Sequence, residues 1–194
     1  MFSDWNNFRA VMHTKSPITP NRRGFGIVGI ALAFTITSCG SKAPSQAEGA
    51  YRAFKQIEAA TDIGVSKMKY DELIQNAAGE LLVLSDLAKG TSDSLPLQHY
   101  QAAIEIYKDA GMLWADEISN VRWNFVPAGK FMLNSGGMRV AQRYHFSVDT
   151  IKYFSGRPDN YKVTSKDAVS ELWQRAIKKA HAGDSLVIER RPKP

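Results

Sequence analysis

Apolar and charged positions divide the 194 residues into segments of different period. The run GFGIVGIALAFTITS, Gly24 to Ser38, is uncharged throughout; Arg22 and Arg23 precede it, and the polar stretch GSKAPSQ begins one residue after it. Further on, Tyr51, Phe54, Ile57 and Ala60 recur at near-helical spacing, which predicts a helix from about Gln46 to Asp62 with Gly64 as its stop. Ser66 can cap a second helix, whose apolar stripe is Tyr70, Leu73, Ile74, Ala77, Leu81, Leu84 and Ala88, ending before Gly90. GTSDSLP follows, with Asp93 or Ser94 as N-cap and Pro96 tolerated in a first turn. The third helix runs near Leu95 to Ile118, with Tyr100, Ala103, Ile104, Tyr107, Ala110 or Gly111, Trp114 and Ile118 on one side. Three amphipathic helices with short connections predict antiparallel neighbours.

Regularity then fails. NVRWNFVPAGKFMLNSGGM mixes aromatics with Pro127, Gly129, Gly136 and Gly137, and neither the helical nor the strand period persists. RVAQRYHFSVDTIKYFSG fits a helix from about Arg139 to Phe154 or a strand from about Tyr144 to Val148. A final helix is capped by Thr164 or Ser165 and lined by Val169, Leu172, Trp173, Ala176, Ile177 and Ala180, with Gly183 as its end. The expected fold is mainly α: an antiparallel bundle of about four helices, with an irregular aromatic-rich segment before the last. The single helical domain spans residues 46–186, and 187–194 form a disordered basic tail.

The order of the first 38 residues, positive, apolar, then small, is that of a signal peptide. Fifteen helical residues reach about 22 Å, short of the roughly 20 residues a hydrocarbon core requires, which favours a processed leader over an anchor helix. Initiation at Met12 gives a more usual basic region and leaves residues 1–11 untranslated. ITSC, Ile36 to Cys39, resembles the lipobox of bacterial lipoprotein precursors: an aliphatic residue, two small ones, then the only cysteine of the chain. The resemblance implies that the Cys39 thiol receives a diacylglyceryl group and that cleavage falls just before it. Residues 39–45 are then the lipidated cysteine and its tether. Acyl chains contribute about 0.8 kcal/mol per buried methylene, so two hold a chain on a bilayer where one does not. RRGF, Arg22 to Phe25, is also faintly similar to a twin-arginine export signal, though ordinary basic leader residues are the favoured reading. Gly40 and Ser41 follow the cysteine with no aspartate, which in the lipoprotein family implies the outer membrane facing the periplasm in a cell with two membranes, and otherwise the outer face of the cell membrane.

Charge changes meaning once the leader is set aside. The net charge is +6, but Arg9, Lys15, Arg22 and Arg23 against Asp4 give the leader +3, half the total. Nucleic-acid binding loses its main support. What remains is polarised along the chain: twelve acids against six bases from Ala43 to Ser119, and seven bases against Asp149 and Asp159 from Asn120 to Lys162. Complementary halves of one chain are expected to pack together.

No HExxH, CxxC, Walker loop or GxSxG occurs, and no histidine has a glutamate three residues before it, so nothing calls for a cofactor or metal. Glu58 with Asp62, and Glu105 with Asp109, are acid pairs at helical spacing, read chiefly as solvated helix faces. Aromatics interleaved with bases between residues 114 and 154 make Trp123, Phe125, Arg139, Arg143 and Tyr144 a candidate binding surface for a glycan, a lipid headgroup or an envelope protein. The competing reading is that these aromatics complete the core over the acidic helices. IEAATDIGVSKMKYDELI is similar to segments of uncharacterised secreted bacterial proteins. The expectation is a lipid-anchored envelope protein acting as a binding or structural module, the alternative an envelope enzyme using helix carboxylates with Arg139 or Arg143.

Overall fold

The computed structural model describes residues 46–120, 125–152 and 160–190. The leader, Cys39, the tether, Trp123 and residues 191–194 of the tail lie outside the described residues. In chain order the elements are α1 (Glu48–Ile63), α2 (Lys67–Leu87), α3 (Ser94–Ser119), β1 (Lys130–Met132), α4 (Ser135–Tyr144), β2 (Asp149–Lys152), β3 (Asn160–Ser165) and α5 (Asp167–Ile188).

Local chemistry explains where the long helices begin and turn. The extended Ser66 accepts a hydrogen bond from the Lys69 amide through its hydroxyl, satisfying one free N–H of the first turn of α2. Gly64 and Gly90 have φ of 93° and 73°, values glycine reaches without a Cβ clash, so the chain reverses in a few residues. Gly49 of α1 lies against Glu80 of α2, which makes the two helices antiparallel. The stripe from Tyr70 to Ala88 is buried at every expected position. α3 and α5 share the longest helix interface. Just beyond α5, Arg190 donates to Asp93 Oδ1 at 2.6 Å at the start of α3, so these two also run antiparallel. The Gln46 amide donates to the other oxygen of Asp93 at 3.1 Å, so chain entry, the start of α3 and the end of α5 meet at one end.

The helical class is as expected, but the domain is not a four-helix bundle. Five helices are joined by a three-stranded antiparallel sheet of order β1-β3-β2, with Phe131 opposite Thr164 and Asp149 opposite Val163. One core cluster joins α1, α2, α3 and the C-terminal part of α5 around Phe54, Tyr70, Tyr100 and Tyr107. A second gathers Ala110, Leu113, Phe131, Val140, Val169 and Leu172. The segment read as irregular is therefore the cover for the far half of the α3–α5 pair. One of its basic residues meets the acidic helix: Arg143 Nη1 donates to Asp109 Oδ2 at 2.6 Å, while Lys130 pairs with Asp149 inside the segment.

Neither reading of residues 139–154 matches. α4 ends at Tyr144 because His145 takes a left-handed conformation, φ 59°, a C-cap that histidine adopts more readily than branched residues do, and the chain turns into β2. Asn134 starts α4: its carbonyl oxygen accepts from the Gly137 amide at 2.9 Å, while its own amide donates to Asp116 Oδ2 at 3.0 Å and its Nδ2 donates to Oδ1. Burial pushes the Asp116 carboxyl above its ordinary pKa, against the pull of the Asn134 amide. α5 continues past Gly183 to Ile188, and Arg190 is tied to Asp93, so the ordered chain extends further than residue 186.

Candidate functional site

Where α1 crosses α5 the two helices leave a cleft of about 770 Å³, lined among others by Lys55, Glu58, Asp62, Trp173, Gln174 and His181. Its floor is ionic rather than apolar. Lys55 Nζ donates to Glu58 Oε2 at 2.7 Å and stands 3.0 Å from Asp184 Oδ2. The second contact is an ion pair, so the buried Oδ2 has the Lys55 ammonium as its partner. Asp184 Oδ1 is held by the Tyr100 hydroxyl at 2.8 Å, and His181 Nε2 lies 2.8 Å from Glu58 Oε1. The fully buried Tyr107 hydroxyl, close enough to feel the charges of Glu58 and Asp184, has no hydrogen-bond partner.

The charges settle each other. Burial disfavours the Lys55 ammonium, yet the contacts with Glu58 and Asp184 outweigh it and raise its pKa. Burial likewise opposes ionised Glu58, but Lys55 and then His181 bring its pKa below the ordinary carboxylate value. Burial, reinforced by neighbouring negative charge, keeps Tyr100 and Tyr107 protonated and therefore available as donors. One wall of the cleft is tied to the core, since Trp173 Nε1 donates to the Tyr70 hydroxyl at 3.2 Å and that hydroxyl donates to the Tyr107 carbonyl at 2.7 Å.

The cleft is equipped to bind more than to attack. Thr61 Oγ1 donates to the carbonyls of Ile57 and Glu58, and Ser170 Oγ to that of Asp167, so both lining hydroxyls spend their protons on the backbone. The acid–base element is the Glu58 and His181 pair: with Nε2 donating to Glu58, neutral His181 presents Nδ1 as an acceptor.

The residues singled out in the sequence lie elsewhere or contribute in part. Arg143 and Tyr144 come together on Asp109, the Tyr144 hydroxyl donating to Oδ2 at 2.9 Å. Burial and then that carboxylate leave the Tyr144 phenol pushed up to about 12. Arg175 lies over the rings of Tyr144 and Phe146, at 5.7 Å and 5.6 Å. Phe125 packs on Tyr161 instead, and Arg139 is exposed on α4. Of the acid pairs, Glu58 enters the cluster and Asp62 lines the cleft, while Glu105 pairs with Lys108 and Asp109 turns inward. Lys55, Tyr100, Tyr107, His181 and Asp184 were not picked out by sequence reasoning. The usable signal was Asp184 itself, an acid in register with the buried stripe Ala176, Ala180 and Val187 and one turn after His181.

Comparison with known proteins finds no matching family model, no matching curated protein and no matching solved structure.

Proposed function

We propose that this chain is a lipid-anchored protein of the cell envelope, acylated on Cys39 after removal of residues 1–38, whose helical domain is a binding module that takes a polar ligand in the α1–α5 cleft. One observation supports the binding half of this reading. A lysine, two carboxylates, an imidazole and two tyrosines gather where α1, α3 and α5 meet, Asp184 and the tyrosines buried and Lys55, Glu58 and His181 partly open to the cleft. A buried carboxylate held by an ion pair stabilises a fold less than apolar packing of the same volume, so stability alone does not account for Asp184. Trp173 beside hydrogen-bonding side chains fits an envelope glycan or protein segment. The anchoring half rests on the lipobox and leader, and it places the domain on the outer face of the cell membrane or on the outer membrane facing the periplasm.

The tests separate the two halves. Cys39→Ser is expected to abolish both membrane retention as a processed lipoprotein and the mass increment of the lipid on the intact protein; unchanged retention and mass refute acylation. A photo-crosslinking residue at Gln174 is expected to give a discrete adduct in the envelope, and the same residue at Gln75, exposed on α2, none. Adducts at both positions or at neither refute binding in the cleft. The second reading, an envelope enzyme, draws on the Glu58–His181 pair, and on Asp109 with Arg143 as the meeting of a helix carboxylate with a base of the 120–160 segment.

A further inference from the structure

Glu58, His181 and Asp184 each turn one ligand atom toward a common point, with all three atoms within 4.8 Å of one another. His181 and Asp184 stand one turn apart on α5 and Glu58 comes from α1, so two rigid helices fix the set. We propose that these three residues bind a single divalent transition-metal ion of the Zn²⁺ type, and that the Lys55 ammonium fills the ion's place in its absence. The proposal rests on the reading of the α1–α5 cleft as the binding site and names what that site takes.

The surroundings of Asp184 point to a cation. Asp184 is 4% exposed, and among the described residues its Oδ2 faces one partner, the Lys55 ammonium 3.0 Å away. The fully buried Tyr107 hydroxyl, without a hydrogen-bond partner among the described residues, lies close enough to feel the Asp184 and Glu58 charges. A buried carboxylate requires a positive partner, and a metal ion can take the place that the ammonium holds. The other oxygen of Asp184 is already oriented by Tyr100, as carboxylates that ligate metals generally are. Lys55 is not locked in: its side chain is 37% exposed and opens into the cleft, so it can swing to water and leave its charge to be replaced.

The donor set selects the kind of ion. One imidazole with two carboxylates suits Zn²⁺ and its first-row neighbours, while Mg²⁺ and Ca²⁺ prefer oxygen alone. Bonds of about 2.0–2.2 Å put tetrahedral donors roughly 3.4 Å apart, so the three atoms, now within 4.8 Å of one another, draw in when the ion binds and Lys55 withdraws. Three protein ligands leave a fourth position facing the cleft, open to water or to a donor atom of the bound molecule.

The experiment titrates Zn²⁺, with Co²⁺ as a spectroscopic probe of coordination, into the untagged full chain carrying Cys39→Ser, purified in detergent and stripped with chelator. The only thiol is then unable to compete. One equivalent is expected to bind, with Co²⁺ giving the visible bands of a tetrahedral N/O site. Lys55→Met removes the competing ammonium and is expected to tighten binding about tenfold. His181→Gln, at an exposed position with little to lose in folding, is expected to weaken it at least about tenfold, and Asp184→Asn to do the same wherever circular dichroism shows it folded. Binding unaffected by His181→Gln, or absent in both the parent chain and Lys55→Met, overturns the metal site. Either result beside a Gln174 crosslink leaves the cleft as a binding site without a metal; loss of the crosslink as well removes both.

Discussion

The Tyr100 hydroxyl donates to Asp184 Oδ1 at 2.8 Å across 84 residues of chain, and the ring lies where it does because position 183 has no side chain. A Cβ on Gly183 would stand 3.1 Å from Cε1 and Cζ of Tyr100, tighter than nearly all real contacts. Tyr100→Phe strips a buried carboxylate oxygen of its donor and is expected to cost about 1–3 kcal/mol. Gly183→Ala gains up to about 1 kcal/mol of helix propensity but makes the ring give by a few tenths of an ångström against its hydrogen bond, and is expected to be destabilising by about 1 kcal/mol net. Urea unfolding at fixed pH measures both, and a Gly183→Ala chain as stable as the parent would show that the close approach is not needed.

Stability should follow pH with a sign set by the Lys55 and Glu58 pair. The folded state holds the Glu58 carboxyl below its ordinary 4.5, so ionised Glu58 adds stability above that value, and the contribution is lost as pH falls through the depressed one. Lys55, raised above 10.5, contributes in full below 10.5 and loses its contribution only as the solution becomes more alkaline than that. The stability gap between the parent and Glu58→Gln is therefore expected to be widest near about pH 7 and to close on acidification below 4.5. Urea midpoints across that range check it. A gap of constant size would mean that the Glu58 charge is not used.

How far the sequence could be read depended on which contacts were local. α1, α2 and α3 fall within a few residues of the pattern because a 3.6-residue apolar stripe and a cap are properties of one segment. The sheet was not legible: β1 has three residues, β2 exposes three of its four, and neither carries an alternation to read. Both become strands only because β3 supplies backbone partners on its two edges. The site was hidden for a related reason. Glu58 and Lys55 look like solvated positions of α1 until α5, 123 residues later in the case of His181, is laid beside them. Gly183 was misread as a helix stop when its small size serves Tyr100, which ended the predicted helix one residue before the acid that matters.

Two glycines make opposite predictions from the same substitution. A Cβ on Gly137 would meet Asp116 Oδ2 at 2.1 Å, so alanine there displaces the carboxylate that receives Asn134 and unmakes the start of α4. Gly137→Ala is expected to cost about 2–3 kcal/mol. Gly79 is exposed inside α2 with nothing within 4 Å of the added atom, and Gly79→Ala is expected to stabilise the chain by about 0.5–1 kcal/mol. Paired thermal melts decide the matter, and a Gly137→Ala chain that melts with the parent would remove Asp116 as the support of α4.

The end of the domain where Gln46, Asp93 and Arg190 meet is also where Leu82, Val83, Leu87, Leu95 and Ile188 are exposed, with Lys89 among them and Arg191 and Lys193 following in sequence. Residues 40–46 span at most about 25 Å when extended, so a lipid on Cys39, as proposed, keeps this end within reach of the headgroups. Exposed apolar side chains suit a bilayer interface, and Lys89, 4.0 Å from Asp86, places a basic group beside them. The chain from residue 40 onward is therefore expected to sediment with phosphatidylglycerol vesicles, and Leu82→Glu with Val83→Glu to weaken that binding about tenfold. Glutamates at Ile63 and Met68, equally exposed at the opposite end, are expected to leave it unchanged. Equal losses from the two pairs, or no vesicle binding by the parent, would mean that the tether holds the domain clear of the membrane and that this end does not touch it.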